Sequence, residues 1–490
     1  MKCPVCSGEH PGLVCQRCGF DSSRDYKKYP TFGPVGRVPA LSALKKEWNR
    51  QQDEVEDPPP GDKTRRRMLW FTLAACTVTL ILGIAIGTGL GGGRPDPTEP
   101  PESIQLQTPA ETTEPEAIVQ VHALRSDVPP LNGNGFVETD QAKTYAVFGS
   151  DYRREEIGSV RFLTTLADAP ADAWDVSQAG DGSVLAWVVP GGGLYDLHIG
   201  AEGAILAPEN CQGLFAGYAN VRSIEFGTEF RTDQVQTMKE MFDGCSSLTE
   251  LELSSFDTSK VTDMYGMFDG CSSLTELELS SFNTSRVTDM RGMFEDCSSL
   301  TDLGLSSFDT SSVTDMRSMF SGCSSLTELT LSSFDTASVT RMDSMFSGCS
   351  SLTELELSSF DTSSVTSMWM MFSGCSSLTE LELSSFDTSS VTDMWAMFSG
   401  CSSLTELELS SFDTSSVTNM GWMFDGCSSL TELELSSFDT SNVTDMYRMF
   451  DGCSSLTDLD LSSFNTSSVT DMLFMFYDCP AGDDWQHLIH

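Results

Sequence analysis

Ten cysteines, Cys245, Cys271, Cys297, Cys323, Cys349, Cys375, Cys401, Cys427, Cys453 and Cys479, recur at a constant step of 26 residues. No other feature of the chain restricts its fold as strongly. Nine full units fill 245–478, each a variant of CSSLTELELSSFDTSSVTDMWAMFSG. A unit this small buries its apolar face only against the units before and after it, so the repeat predicts a solenoid. Equivalent residues then stack into columns along a rod.

Within a unit, Leu251 and Leu253 alternate with Glu250 and Glu252, the period-two pattern of a strand with one buried face. Val261, Met264, Phe268 and Cys271 are spaced three, four and three apart, along one side of a short helix. Ser259 is placed to cap the start of that helix and Gly270 its end. One strand and one short helix per unit predict an α/β solenoid that coils right-handed, with its strands stacked about 4.8 Å apart in a parallel sheet. The Met and Phe columns read as core, Met being suited to filling irregular gaps. The cysteine column reads as buried free thiols, because stacked side chains pointing the same way rarely reach the dihedral a disulfide needs. Asp257, Asp309, Asp335, Asp361, Asp387, Asp413 and Asp439, with Asn283 and Asn465, fall at a turn, where such side chains commonly bond their own backbone.

The string L-x-x-L-x-L-S-S-F-D-T-S-x-V-T-x-M-x-x-M-F-x-x-C, over roughly 211–479, resembles the repeat of BspA-like leucine-rich-repeat surface proteins of bacteria. The stretch 174–226 resembles the lead-in of the same proteins. The resemblance implies a leucine-rich-repeat rod that adheres to host matrix proteins or to other cells. Val235, Met238, Met241 and Phe242 fit the repeat at −26, whereas Ile224 and Phe226 fit at −27. That difference predicts a one-residue insertion in an atypical first rung, within a β-rich N-terminal cap over 144–244. Residues 479–490 form the expected C-terminal cap, with Trp485 placed to close the last rung.

Charge separates the chain into parts. The whole sequence carries 71 acidic and 28 basic residues, a formal charge of −43, and −30 of that lies in the repeats. Such a balance excludes a general nucleic-acid binder, which needs a basic face for phosphates. Residues 1–67 are instead slightly basic, with 13 Lys or Arg against 9 Asp or Glu. Residues 68–90 contain no charge, and 23 residues of helix span about 34 Å, enough for a hydrocarbon core about 30 Å thick. Lys63, Arg65, Arg66 and Arg67 precede this run and only Arg94 follows it before an acidic stretch. The positive-inside rule therefore predicts a single-pass membrane helix with a cytoplasmic N-terminus and the repeats displayed outside the cell. The Pro-, Thr- and Glu-rich stretch 91–143 lacks the apolar residues of a core and reads as a solvated stalk.

Two C-x-x-C pairs open the chain, Cys3 with Cys6 and Cys15 with Cys18. Four thiolates at this spacing close a tetrahedral Zn²⁺ site with no open position, hence a structural zinc ribbon over 1–20. Residues 21–67 then link it to the membrane. The motif resembles the short zinc ribbon at the head of many bacterial membrane proteins.

Catalysis finds no support in these residues. Five histidines and a set of repeated units supply no single constellation of nucleophile, base and oxyanion donors. The features left for function are the columns on the outer face of the sheet. One runs Glu250, Glu276, Asp302, Glu328, Glu354, Glu380, Glu406, Glu432, Asp458. A second runs Glu252, Glu278, Glu356, Glu382, Glu408, Glu434, Asp460, interrupted by Gly304 and Thr330. Like charges one rung apart repel by roughly 1 kcal/mol in water, a cost nothing in the core requires. Three readings fit: a solubilising surface, a docking surface for basic protein partners, or a row of carboxylates holding Ca²⁺. No EF-hand or RTX spacing supports the last, and no calcium ligands are assigned. Trp369, Trp395 and Trp422 vary where other columns stay constant, either as partner contacts or as a cover for the core edge. The leading expectation is a membrane-anchored surface protein that binds other proteins. The alternative is a transmembrane sensor with the rod as receptor and the ribbon as cytoplasmic adaptor.

Overall fold

The computed structural model describes residues 128–133 and 146–482, all within one compact unit. The cysteine quartet, the uncharged run 68–90, most of the stalk and Trp485 lie outside the described residues.

Strands dominate the first part: β1 (Ile157–Leu163), β2 (Trp174–Asp175), β3 (Val184–Gly191), β4 (Leu194–Ala201), β5 (Ile205–Leu206), β6 (Ser223–Glu225) and β7 (Phe230–Arg231). The repeats add β8 (Glu250–Leu251), β9 (Glu276–Leu277) and β10 (Asp302–Leu303). One sheet has the order β2-β3-β4-β1-β6-β8. β3 pairs antiparallel with β2 and β4, whereas β1 lies parallel between β4 and β6. β1 thus occupies the place of a preceding rung. The β3–β4 hairpin closes the sheet beyond it, so the end of the stack is not left as an open edge.

The one-residue insertion is visible in the register. Ser223 pairs with Glu250 and Ile224 with Leu251, whereas Glu276 pairs with Asp302 and Leu277 with Leu303. Asn210 bridges Thr237, and from Thr237 onward the bridges advance by the repeat step, through Asp263 and Asp289 to Asp471. Arg154 secures this cap: it is buried, donates from Nη1 to the carbonyls of Gly213 (2.8 Å) and Ala216, and lies 5.1 Å above the Tyr218 ring.

The expected short helix in each repeat does not form. Residues 265–270 and their equivalents are a run of turns. The N–H groups of Met267, Asp269 and Cys271 donate to carbonyls three residues back, while those of Met264, Gly266, Phe268 and Gly270 donate to Asp289, Arg291, Met293 and Glu295 of the next rung, at 2.8–3.0 Å. An α-helix would consume all these donors internally and leave adjacent rungs joined by side chains alone. Alternation needs left-handed residues at two fixed places, seen at Gly266 (φ 58°) and Gly270 (φ 71°). Ser259 and Gly270 therefore bound a turn run and not a helix. The strand part is equally thin, two residues long in the three rungs where it is regular.

The core follows the columns. Val261, Met264, Met267, Phe268 and Cys271, with their equivalents through Cys453, are 0–1% exposed. The rings of Phe242, Phe268, Phe294 and their successors stack at 5.4–5.8 Å with nearly parallel planes through Phe476. Eleven free cysteines from Cys211 to Cys479 are buried, and the Cys271 thiol donates to the Phe242 carbonyl of the preceding rung at 3.3 Å. Burial pushes the Cys245 and Cys349 thiols up to about 12, so they are inert packing groups.

Candidate functional site

Acidic residues of the repeats fall into classes that differ in what holds them. The turn column is committed to its own backbone. The Asp257 Oδ1 accepts the Ser259 N–H at 3.0 Å, and Asp361, Asp387 and Asp413 accept from Ser363, Ser389 and Ser415 at 2.9–3.0 Å. These bonds hold the Asp361, Asp387 and Asp413 carboxyls below the usual range.

The second outer column is also partly committed. Glu252, Glu278, Glu356, Glu382, Glu408 and Glu434 each accept the N–H of the serine two residues on, at 2.8–2.9 Å. Hydrogen bonds from those serines lower the carboxyls of Glu252, Glu278, Glu356, Glu382 and Glu408. Each pins the corner where the strand leaves the sheet, while the side chain remains exposed.

The first outer column differs. Glu250, Glu276, Asp302, Glu328, Glu354, Glu380, Glu406, Glu432 and Asp458 are all exposed. Among the described residues their carboxylates enter no hydrogen bond or ion pair. The repeat cations lie elsewhere: Arg291, Arg317, Arg341 and Arg448 pair with Asp289, Asp315, Asp343 and Asp451 on the turn side at 2.6–3.0 Å. A straight row of uncompensated charge therefore runs along the sheet face, one carboxylate per rung.

The tryptophans form a second linear feature. Trp369 and Trp395 stack at 5.4 Å with planes 15° apart, and Trp395, Trp422 and Tyr447 continue the ladder at 6.2 and 5.8 Å with tilted planes. Phe474 and Tyr477 end it. The three tryptophans are half-buried, whereas Phe474 is 40% and Tyr477 63% exposed. The Arg448 guanidinium lies 4.9, 5.6 and 5.3 Å from the Trp422, Tyr447 and Phe474 rings. The ladder therefore stays half-buried along the tryptophans and becomes exposed at its C-terminal end.

One structural column escapes a reading based on apolar periodicity. Thr258, Thr284, Thr310, Thr336, Thr362, Thr388, Thr414 and Thr440 are 0–1% exposed. The Thr336 hydroxyl accepts the Asp361 N–H at 2.8 Å and donates to the Asp361 carbonyl at 2.9 Å, and Thr310 and Thr362 do likewise with Asp335 and Asp387. The signal was present, since a threonine follows the Asp or Asn in every unit, but a polar residue in a Ser/Thr-rich string reads as surface. Among the described residues no group of three or more His, Cys, Asp or Glu is placed to hold a metal ion, and no helix is long and apolar enough to cross a membrane.

Comparison with known proteins finds a family match over the repeats. A family model described as "Mycoplasma protein of unknown function, DUF285" matches three times, at residues 209–326, 300–407 and 376–484. No curated protein and no solved structure matches the chain.

Proposed function

The chain belongs to the DUF285 family, and from that premise we propose that its rod is a binding module that engages basic segments of other proteins. The uncompensated column Glu250–Asp458 carries this reading. The turn and second-column carboxylates stabilise the fold locally, whereas the first column enters no contact within the described part and still imposes its repulsion. A partner with Lys or Arg at matching spacing relieves that repulsion on binding, and electrostatic complementarity of this kind governs on-rate and specificity.

The resemblance to BspA-like leucine-rich-repeat proteins makes adhesion to host matrix or to other cells the biological form of this binding. In the same reading residues 68–90 anchor the chain in the cell membrane, with its N-terminus cytoplasmic and its rod outside. Cys3, Cys6, Cys15 and Cys18 hold a structural Zn²⁺. The rod performs no catalysis. Trp369, Trp395 and Trp422 are further partner contacts in this reading, and the second acidic column adds its exposed oxygens.

The test is a binding screen of residues 131–490 against basic matrix proteins at low and high salt. Binding should weaken as salt rises and fall about tenfold in the variant E354Q/E380Q/E406Q/E432Q. Unchanged affinity in that variant would remove the acidic face from the function. Protease added to intact cells should remove the rod and spare residues 1–67; a protected rod would refute the external placement.

A further inference from the structure

The nine units differ from one another mainly in the turn run. Sixteen of their 26 positions hold one residue type throughout. The Tyr265 column holds six types and the Gly266 column beside it seven, whereas no other column holds more than four. From Tyr265, Arg291 and Arg317 the first of these columns changes through Asp343 to Trp369 and Trp395. The difference matters for binding. A row with a carboxylate in every unit suits a basic segment almost equally well one rung further along. The row from Glu250 to Asp458 therefore attracts such a segment without placing it. Only a column that breaks the repeat can distinguish one place on the rod from another.

Contacts within the rod show what the turn side can hold. The Tyr265 ring has the Lys239 ammonium 5.0 Å and the Arg291 guanidinium 4.7 Å from its centroid, while the Asp263 carboxylate accepts the Tyr265 N–H at 2.9 Å. Farther along, the Arg448 guanidinium pairs with Asp451 at 3.0 Å and lies over the Trp422 and Tyr447 rings, and Asp445 accepts the Tyr447 N–H at 2.8 Å. Each place combines a ring, a cation and carboxylates.

Between these two places the cation is missing. Asp393 accepts the Trp395 N–H at 3.0 Å in the same manner, and Trp395 stacks on Trp369 at 5.4 Å. Among the described residues no cation lies over either indole. Residues 342–447 contain sixteen Asp or Glu and no Lys or Arg, so this stretch has no cation of its own to supply. Arg341 and Arg448, which bound it, are paired with Asp343 and Asp451. A guanidinium is flat and weakly hydrated, so it stacks on a ring while pairing with a carboxylate, which a strongly hydrated ammonium does less well. We infer that the Trp369–Trp395 pair takes arginine side chains of a partner protein and thereby fixes where along the rod its basic segment sits. The inference rests on the reading of the rod as a binder of basic segments.

Binding of octa-arginine and octa-lysine to the full-length chain tests it. Octa-arginine should bind about fivefold more tightly than octa-lysine. That ratio should fall to near one in Trp369→Leu/Trp395→Leu, which installs the residue that the same column carries at Leu473. It should persist in Trp369→Tyr/Trp395→Tyr, which keeps a ring at both places. The variant E354Q/E380Q/E406Q/E432Q should weaken both peptides alike and preserve the ratio. A photo-crosslinker on the end of octa-arginine should attach within 349–426. A ratio near one in the wild type, a ratio unmoved by the leucines, or crosslinks spread evenly over the nine units would overturn the inference and leave the acidic row standing. Binding of neither peptide would overturn both readings.

Discussion

At the residue scale the repeat is held by polar groups as much as by its leucines, and the units are not equally well fitted. Ser318 sits at φ 55° where Gly266 and Gly292 stand in earlier rungs, and its buried hydroxyl has no hydrogen-bond partner among the described residues. A left-handed non-glycine residue costs about 1–2 kcal/mol and a stranded hydroxyl adds to it, offset in part by the entropy of an added glycine. Ser318→Gly should therefore stabilise the rod by about 1 kcal/mol in a thermal melt; a lower melting temperature would contradict this account. Asp425 is the second misfit. Burial, with Asp451 on the next rung, pushes its carboxyl up to about 7 from an ordinary value of 3.8. The stability that depends on its proton is complete below about pH 3.8 and is lost as pH rises through about 7. Serine fills the equivalent place at Ser321, Ser347, Ser373 and Ser399. Asp425→Ser should raise stability by about 1–2 kcal/mol at pH 8 and clearly less at pH 5. An equal gain at both pH values would show that the carboxyl is not the cause.

At the scale of the element, the rung is joined to its neighbours by two kinds of ladder. Alternate backbone donors of the turn run cross to the next rung, and buried threonines such as Thr336 bond both backbone groups of the Asp or Asn 25 residues later. Thr336→Val keeps the shape and removes both bonds, leaving the Asp361 N–H and carbonyl unmet. The expected loss is about 1–3 kcal/mol, and Thr336→Ser should recover part of it. A neutral Val variant would mean that the ladder of hydroxyls is incidental. The apolar positions of the repeat were legible from their spacing, but the conformation between them was not. Val261, Met264, Phe268 and Cys271 satisfy helical spacing because all four point inward. They do so on a turn run whose donors serve the adjacent rung, and that decision involves residues 25 positions away.

For the whole molecule, a rod of this kind has nearest-neighbour energetics. Deleting 349–374 joins Gly348 to Cys375, the Gly–Cys junction found at most unit boundaries, and should give a folded chain with one rung fewer. Its melt should stay cooperative, whereas deleting half that length should unfold the rungs around the break. Collapse of the whole rod on removal of a full unit would refute the independence of the rungs. Net charge acts at the same scale: a −30 rod repels its copies, less so as salt rises.

Determined by the sequence alone were the repeat step, the identity of the core columns, the one-residue insertion before Thr237 and the outward place of Glu250 and its equivalents. All of these follow from periodicity, because each residue's burial is set by its position within a unit and every unit repeats the experiment. Decided only by the tertiary structure were the turns in place of helices, the inward threonines and the division of the carboxylates into committed and uncommitted rows. These depend on which backbone group of one rung meets which group of the next, a pairing across space that no single unit encodes.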